Sequence, residues 1–551
     1  MQRFLLAKRA WVVLFAAACA AYFYGLGAAP LLGPDEPRYA QVAREMYLRG
    51  DWVTPTLAGH TWFEKPALLY WLTSVAYTLF GVTEFAARAG SALAGVLTVL
   101  LAGWAARRAE FESGEGLRGL GVTCAAVTAS TLGLMVFARA SSFDTLLTTT
   151  VTGALACFYF SEVERGAGRR AWLVFFYVFV GLSLLAKGLV GVVLTAGVVL
   201  AYSALRRRWP GLLRLGVPWG VPLALLVAAV WYGPVFARHG RAFADEFFVQ
   251  HHFARYVSNR YHHPQPFWFY LPITLALALP WTFFMLGGVA SALQTNARAE
   301  DAAGRLRVLA LAWLVVPVLF FSASGSKLPG YVLPALPGAA LLAGDGLHRY
   351  LRGAGGVALM RLTGLLALAG CGAGAALLVF NYGEIGSFMR GLPAAYVAAL
   401  LLPAGLAGLA AVFLARRREL CAVSLVGATL LTVALAAGGG ALARGARKES
   451  LGRELYEANA RGVGPVPVVN LHEVERSLEF YGAGRLAYDA EGEPLRLEGA
   501  GQVEEFARAR GGRALVVVRL REEHQLYEHA GLEAKRVADN GRYALVQVRV
   551  K

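Results

Sequence analysis

The chain has 551 residues, of which 57% are hydrophobic and only 16% charged, with a mean hydropathy of +0.50, a balance foreign to soluble domains. The formal net charge of +17 does not point to nucleic acid, because Arg and Lys fall in short clusters between apolar runs, as in the inner loops of a polytopic membrane protein. The five cysteines, Cys19, Cys124, Cys157, Cys371 and Cys421, all lie inside apolar runs without metal-ligand spacing and read as small core residues.

In chain order, apolar runs of about 17–25 residues predict an α-helical polytopic membrane protein of about 13 transmembrane helices. Arg3, Lys8 and Arg9 followed by the run 10–26 read as a retained signal-anchor. That leaves the amino terminus inside and the polar stretch 33–80 outside. The next spans are 86–106, 120–138 and 146–163, with Arg139 and Asp144 in the outer turn between the last two. A tight pair of spans around Lys187 ends inside at Arg206-Arg207-Arg208. Span 217–236 opens a second long outer stretch, 238–270, followed by spans 271–292, 308–323 and 332–347, the last two flanking a short outer turn, 324–331. Two further spans lead back to Arg416-Arg417-Arg418, and the last, 421–443, ends outside. Arginine collects at the inner returns, which makes the path self-consistent.

Residues 1–443 are therefore expected to form a membrane domain with outer loops at about 33–80 and 238–270, and 444–551 a soluble α/β domain on the outer side. In the tail, 451–460, 474–481 and 522–530 read as helices, and 466–470, 514–520 and 543–550 as strands. It contains no glycine-rich phosphate loop and no defensible Ser-His-Asp order, so an accessory role is expected.

Charged residues away from the inner helix ends and the tail concentrate in three outer segments, which are the candidate site. The first reads Gly33-Pro34-Asp35-Glu36-Pro37-Arg38-Tyr39-Ala40 and continues to Trp62-Phe63-Glu64-Lys65-Pro66. Pro37 suits the first turn of a helix, which places the Asp35 carboxylate beside a helix amino terminus; a plain helix cap is the competing reading. The second holds His239, His251, His252, Arg255, Arg260, His262 and His263 among aromatics, with interfacial anchoring as the alternative. The third is Ser324-Gly325-Ser326-Lys327-Leu328-Pro329-Gly330-Tyr331, where Lys327 and Tyr331 are anion-binding candidates, although a lysine there also suits snorkelling to the interface. Together the three suit an anionic amphiphile, a lipid phosphate at the outer leaflet. A transporter fits the hydropathy equally, but no internal repeat is found and the acids sit in outer loops rather than near the midplane.

The Pro34–Ala40 segment, Phe63-Glu64-Lys65-Pro66, Gln265-Pro266-Phe267-Trp268-Phe269-Tyr270 and Lys327-Leu328-Pro329-Gly330-Tyr331-Val332-Leu333-Pro334 resemble the lipid A aminoarabinose transferases. These belong to the C-type membrane glycosyltransferases that include the protein O-mannosyltransferases. The resemblance covers essentially the whole chain. It implies transfer of 4-amino-4-deoxy-L-arabinose from undecaprenyl phosphate to a lipid A phosphate at the periplasmic face of the inner membrane, which confers resistance to polymyxin and other cationic peptides. Among its relatives the alternative acceptor is a protein or glycan. By the same resemblance Asp35 matches the essential acid, and Lys65, Arg255 and Tyr331 match groups that hold the carrier phosphate. Glu64 and His252 resemble a metal-binding pair, for a divalent ion such as zinc, although His251 stands where an acid is expected. The candidate set is then Asp35, Glu36 and Asp144 as catalytic acids, and Arg38, Tyr39, Lys65, Arg255, Lys327 and Tyr331 for the donor. No cofactor is obligatory, since the prenyl phosphate activates the sugar. The expected partners are the lipid-linked donor, lipid A and the surrounding membrane lipid, with no nucleic acid and a monomeric chain.

Overall fold

The computed structural model describes residues 2–209, 211–247, 265–295, 301–380, 394–438, 450–452, 454–455, 458, 466–490 and 492–551. The helices are α1 (Gln2–Phe23), α2 (Asp35–Arg49), α3 (Leu68–Phe80), α4 (Glu84–Ser113), α5 (Leu120–Ala129), α6 (Leu132–Ala138), α7 (Phe143–Val163), α8 (Gly166–Lys187), α9 (Leu189–Leu205) and α10 (Val217–Ala244). They continue as α11 (Tyr270–Leu277), α12 (Thr282–Gln294), α13 (Ala302–Ser322), α14 (Leu336–Leu351), α15 (Val357–Phe380), α16 (Ala394–Phe413) and α17 (Arg418–Gly438). Among the described residues eight helices are long and apolar enough to cross a membrane, ten if each of two bent pairs is one span. With the shorter α1, α9 and α14, a helix stands at each expected span. The chain is a multi-pass, mostly helical membrane protein.

Two expected spans are not continuous. The α5–α6 pair bends by 57°, and the helical stretch Phe267–Leu277 meets α12 at 113°. At the first break Ser130 and Thr131 turn their hydroxyls back onto the Ala126 and Val127 carbonyls (2.6 and 2.7 Å), local bonds that compete with helix continuation. At the second, Pro280 has no N–H to give. The breaks meet in space: the Leu132 N–H donates to the Leu279 carbonyl (2.8 Å), and Trp281 Nε1 donates to Ser130 Oγ (3.0 Å). Each break satisfies polar groups freed at the other, the condition for interrupting a helix at membrane depth.

The outer stretch 33–80 carries α2, α3 and a short hairpin of β1 (Thr56–Leu57) and β2 (His60–Thr61). Tyr77 and Ser74 of α3 donate to the Ala40 and Ala43 carbonyls of α2 (3.0 and 3.2 Å), and Tyr39 of α2 and Tyr70 of α3 both pack edge-on against Phe143 of α7 in one apolar cluster shared with α4.

The tail forms a five-stranded sheet in the order β4 (Arg496–Leu497), β3 (Val468–Leu471), β5 (Arg513–Arg519), β7 (Tyr543–Val550), β6 (Leu532–Asp539). Strands β4, β3 and β5 run parallel, while β7 is antiparallel to both β5 and β6. Both faces of β5 are buried, as its unbroken run Ala514-Leu515-Val516-Val517-Val518 requires. The helix Ala500–Arg508 and the edge strand β6 were not expected. The helix expected at 474–481 shrinks to one turn, α18 (Leu478–Tyr481). Asn470 Oδ1 takes the Glu475 N–H (3.0 Å), and the Glu475 carboxylate takes the Ser477 N–H and hydroxyl (3.2 and 2.5 Å), so side chains hold the backbone of 474–477 out of the helix.

Burial, only partly offset by the Ser477 bonds, pushes the Glu475 carboxyl from 4.5 up to about 7. Between these values the folded tail binds more protons than the unfolded one, so its stability falls as pH rises through about 7, by about 3 kcal/mol in all. Pulse proteolysis of the tail in urea is expected to show greater resistance at pH 5 than at pH 8, and Glu475→Gln is expected to remove the difference.

Candidate active site

Helix α2 starts at Asp35, with Pro37 in the first turn, where its missing N–H costs no helical bond, and ends at Gly50 in the left-handed region (φ 64°). Its first two residues have opposite fates. Asp35 is exposed, and among the described residues no side chain holds its carboxylate. Glu36 is buried: Oε1 accepts from Arg88 Nε (2.9 Å) and the Ser141 N–H (2.7 Å), and Oε2 from Arg88 Nη2 (2.8 Å) and the Leu32 N–H (2.9 Å). The remaining Arg88 donors go to the carbonyls of Leu26, Ala29 and Pro30 (2.9, 2.8 and 2.7 Å). With its lone pairs so occupied, Glu36 is placed as a positioning carboxylate rather than the catalytic acid expected from the sequence.

Asp35 faces a cavity of about 560 Å³. Its polar side is lined by Asp35, Glu36, Tyr39, Glu64, Lys65, Asp144, Lys187 and Tyr331, and its apolar side by Leu189, Val190 and Val193 of α9 and Phe320 and Phe321 of α13. The first and third outer segments therefore converge, joined by the start of α7 and the end of α8. The two lysines of the cavity each stand beside an acid. Lys65 Nζ lies 2.6 Å from Glu64. Lys187 pairs with Asp144, and its ammonium stands 4.5 Å from the centre of the Tyr331 ring, a cation–π contact. Gly330 makes that approach possible: a Cβ there would lie 2.7 Å from Phe137 and 2.9 Å from the Asp144 carboxylate.

The other expected residues lie elsewhere. Arg38 turns away from the cavity to Glu479 of the tail (3.3 Å), with its guanidinium 5.1 Å from the Trp62 ring centre. Lys327 is buried and donates to the carbonyls of Ser324 (2.5 Å) and Gln265 (3.2 Å); it fastens the third segment onto the start of the stretch at 265–270 instead of presenting charge. Arg255 and His252 lie outside the described residues. Among those described, no three His, Cys, Asp or Glu side chains converge on a metal-sized site, and Glu64 is engaged with Lys65. Lys187 was not among the expected site residues. Its signal was an ionisable group inside the apolar run Leu184-Leu185-Ala186-Lys187-Gly188-Leu189, which by itself marks a site within a membrane protein.

Helices, cavity and tail together have the fold of the C-type membrane glycosyltransferases. Residues 8–239 match the family model of dolichyl-phosphate-mannose-protein mannosyltransferases. The chain is similar to undecaprenyl phosphate-alpha-4-amino-4-deoxy-L-arabinose arabinosyl transferases from Edwardsiella ictaluri (35% identity, 63% of this chain and 60% of that one) and Pseudomonas aeruginosa (36%, 66% and 63%). Those alignments thus span somewhat less than two thirds of the curated relatives. Two crystal structures of ArnT from Cupriavidus metallidurans match over 98% of both chains: the apo state at 28% identity and a TM-score of 0.79, and the form bound to undecaprenyl phosphate at 27% and 0.77. The resemblance drawn from the sequence motifs is the one these comparisons return.

Removing one partner of a buried, fully bonded ion pair leaves the other charge stranded, at a cost of about 3–5 kcal/mol. Arg88→Met is accordingly expected to lower the unfolding free energy by about that amount, and Arg88→Met with Glu36→Gln by clearly less. Denaturant unfolding of the detergent-solubilised protein measures both.

Proposed function

We propose that this protein is a glycosyltransferase that moves 4-amino-4-deoxy-L-arabinose from undecaprenyl phosphate to a phosphate of lipid A, at the periplasmic face of the inner membrane and with its amino terminus in the cytoplasm. The observation that carries the reading is the cavity, which combines an apolar wall of helix side chains with two lysines and an unengaged carboxylate on its polar side. That composition suits one ligand class, a phosphate on a long apolar tail. The likeness to a structure bound to undecaprenyl phosphate points the same way.

In this mechanism the prenyl tail lies along Leu189, Val193 and Phe320, and the phosphate enters between Lys65, Lys187 and the Tyr331 hydroxyl. As the sugar leaves, negative charge grows on the carrier phosphate and positive charge at the anomeric carbon. Lys65 and Lys187 strengthen their hold as the bond breaks, which is where binding lowers a barrier. Each of the two lysines is held beside an acid before the donor arrives, so neither charge is left uncompensated. A lipid A phosphate is already ionised and needs no general base. Asp35 therefore orients the acceptor and offsets the charge developing on the sugar; a hydroxyl acceptor would instead require it as base. Adding a cationic sugar lowers the negative charge of lipid A and with it the attraction for cationic peptides.

The test is mass spectrometry of lipid A from transferase-null cells that make the prenyl-linked aminoarabinose and carry this gene. A sugar-sized mass gain with the wild type and its loss with Asp35→Asn are expected. Sugar found on secreted proteins with lipid A unchanged would replace the acceptor, and no product from well-inserted protein would sink the reading. Lys65→Ala is expected to slow transfer by about two to three decades, the loss of about 2–4 kcal/mol of transition-state stabilisation; near-normal turnover would remove Lys65 from the mechanism.

A further inference from the structure

The turn that delivers Asp35 is held from one side by the Glu36–Arg88 pair and from the other by the tail. The one-turn helix α18 brings Leu478-Glu479-Phe480-Tyr481 against α2. Glu479, whose side chain has no exposed surface, takes Arg38 at 3.3 Å and Arg476 at 2.8 Å. The Phe480 ring is buried in the cluster formed by α2 and α3, and its carbonyl accepts from Arg44 (3.3 Å). The Tyr481 hydroxyl accepts the Leu31 N–H (2.9 Å), four residues before Asp35, and donates to Glu84 (2.9 Å) at the first turn of α4.

Glu84 and Arg88 are one turn apart on α4, and Leu31 and Glu36 flank Asp35. Tyr481 therefore joins the same two elements as the buried pair, Leu31 to Glu84 beside Glu36 to Arg88, and Asp35 sits between the two ties. One tie alone leaves the 31–36 turn able to pivot about it; two fix its angle.

We infer that the carboxyl-terminal domain is part of the catalytic apparatus, with Tyr481 and Glu479 as positioning residues that set the direction in which Asp35 meets the sugar. The inference rests on the transferase reading above. It separates orientation from donor binding, because the Tyr481 hydroxyl bonds Leu31 and Glu84, whereas the lysines and Tyr331 proposed to meet the phosphate belong to other elements. Loss of the Tyr481 hydroxyl should leave the affinity for the donor in place and lower turnover.

The experiment uses full-length Tyr481→Phe in detergent, with undecaprenyl-phosphate aminoarabinose as donor and lipid A as acceptor, alongside hydrogen exchange of the segment 28–39. Exchange at least tenfold faster in that segment, kcat about tenfold lower and donor KM within twofold of wild type are expected. Unchanged exchange, faster exchange with unchanged kcat, or a rise in KM alone would overturn the inference. If Tyr481→Phe does not fold, Glu479→Gln decides by the same readouts, with an expected drop in kcat of about threefold; wild-type values there would equally overturn it. A wild-type protein inactive on this donor refutes the transferase reading instead, and the exchange rates then decide alone whether the tail braces the turn.

Discussion

The structure around the cavity depends on one buried contact, the guanidinium of Arg88 on the carboxylate of Glu36. Two charges taken out of water are costly to hold, and the cost is offset only where every lone pair and proton is used. Here both carboxylate oxygens take two donors and the guanidinium gives all five. The partners come from the end of the first helix, the turn before α2, α4 and the turn before α7. The contact therefore sets the relative position of chain segments spread from Leu26 to Ser141. No apolar pair of similar size reaches three backbone carbonyls and two backbone N–H groups at once, which is the physical case for an ion pair at this position.

The same requirement of pairing holds for the cations of the cavity. On the proposed transferase reading, cations that hold a phosphate are a liability in a largely apolar cavity while the phosphate is absent. Lys65 beside Glu64 and Lys187 beside Asp144 are each compensated by a near neighbour, so an arriving anion competes with a carboxylate rather than finding a bare charge. Such a site discriminates: a ligand must bring both enough charge to draw the lysines and enough apolar surface to fill the wall of α9 and α13. The two interrupted helical pairs follow the same rule in the backbone, since each break is satisfied by the other.

Much of this was legible in the sequence because membrane segments are specified by length and composition alone. The positions of the spans follow from long apolar runs, and the convergence of Asp35, Lys65, Asp144 and Tyr331 on one cavity from residues that do not belong in lipid. What was illegible is direction. Nothing in Asp35-Glu36-Pro37-Arg38 says that of the two acids lining the cavity only the first is left without an arginine, that the second meets Arg88, or that Arg38 looks to a domain more than four hundred residues away. Lys327 likewise reads as an exposed cation until the carbonyls of Ser324 and Gln265 are seen around it. In the tail, β6 is rich in Leu, Glu, Ala, Lys and Arg, which favour helix, and becomes a strand because β7 offers it a full antiparallel edge. Lys187 was the opposite case: its signal was plain, but its partner Asp144 lies 43 residues away and the pair exists only once α7 and α8 pack.

The division of labour between Asp35 and Glu36 has a geometric cause. Adjacent residues on a helix point about 100° apart, so two neighbouring acids at a helix start cannot both meet one arginine. Whichever carboxylate enters the clamp turns the other toward the opening. A shift of α2 by a single residue would exchange the roles and leave an engaged acid in the cavity and an uncompensated one in the core. The helix start is therefore the position where error is least tolerable, and it is where conformational freedom is least: Pro34 and Pro37 bracket the two acids, each with φ fixed by its ring, Glu36 is locked on one side, and Tyr481 holds Leu31 on the other. Around Asp35 the Leu31 and Leu32 N–H groups, Glu36 and Arg38 all have partners, which fixes the turn from which its carboxylate projects.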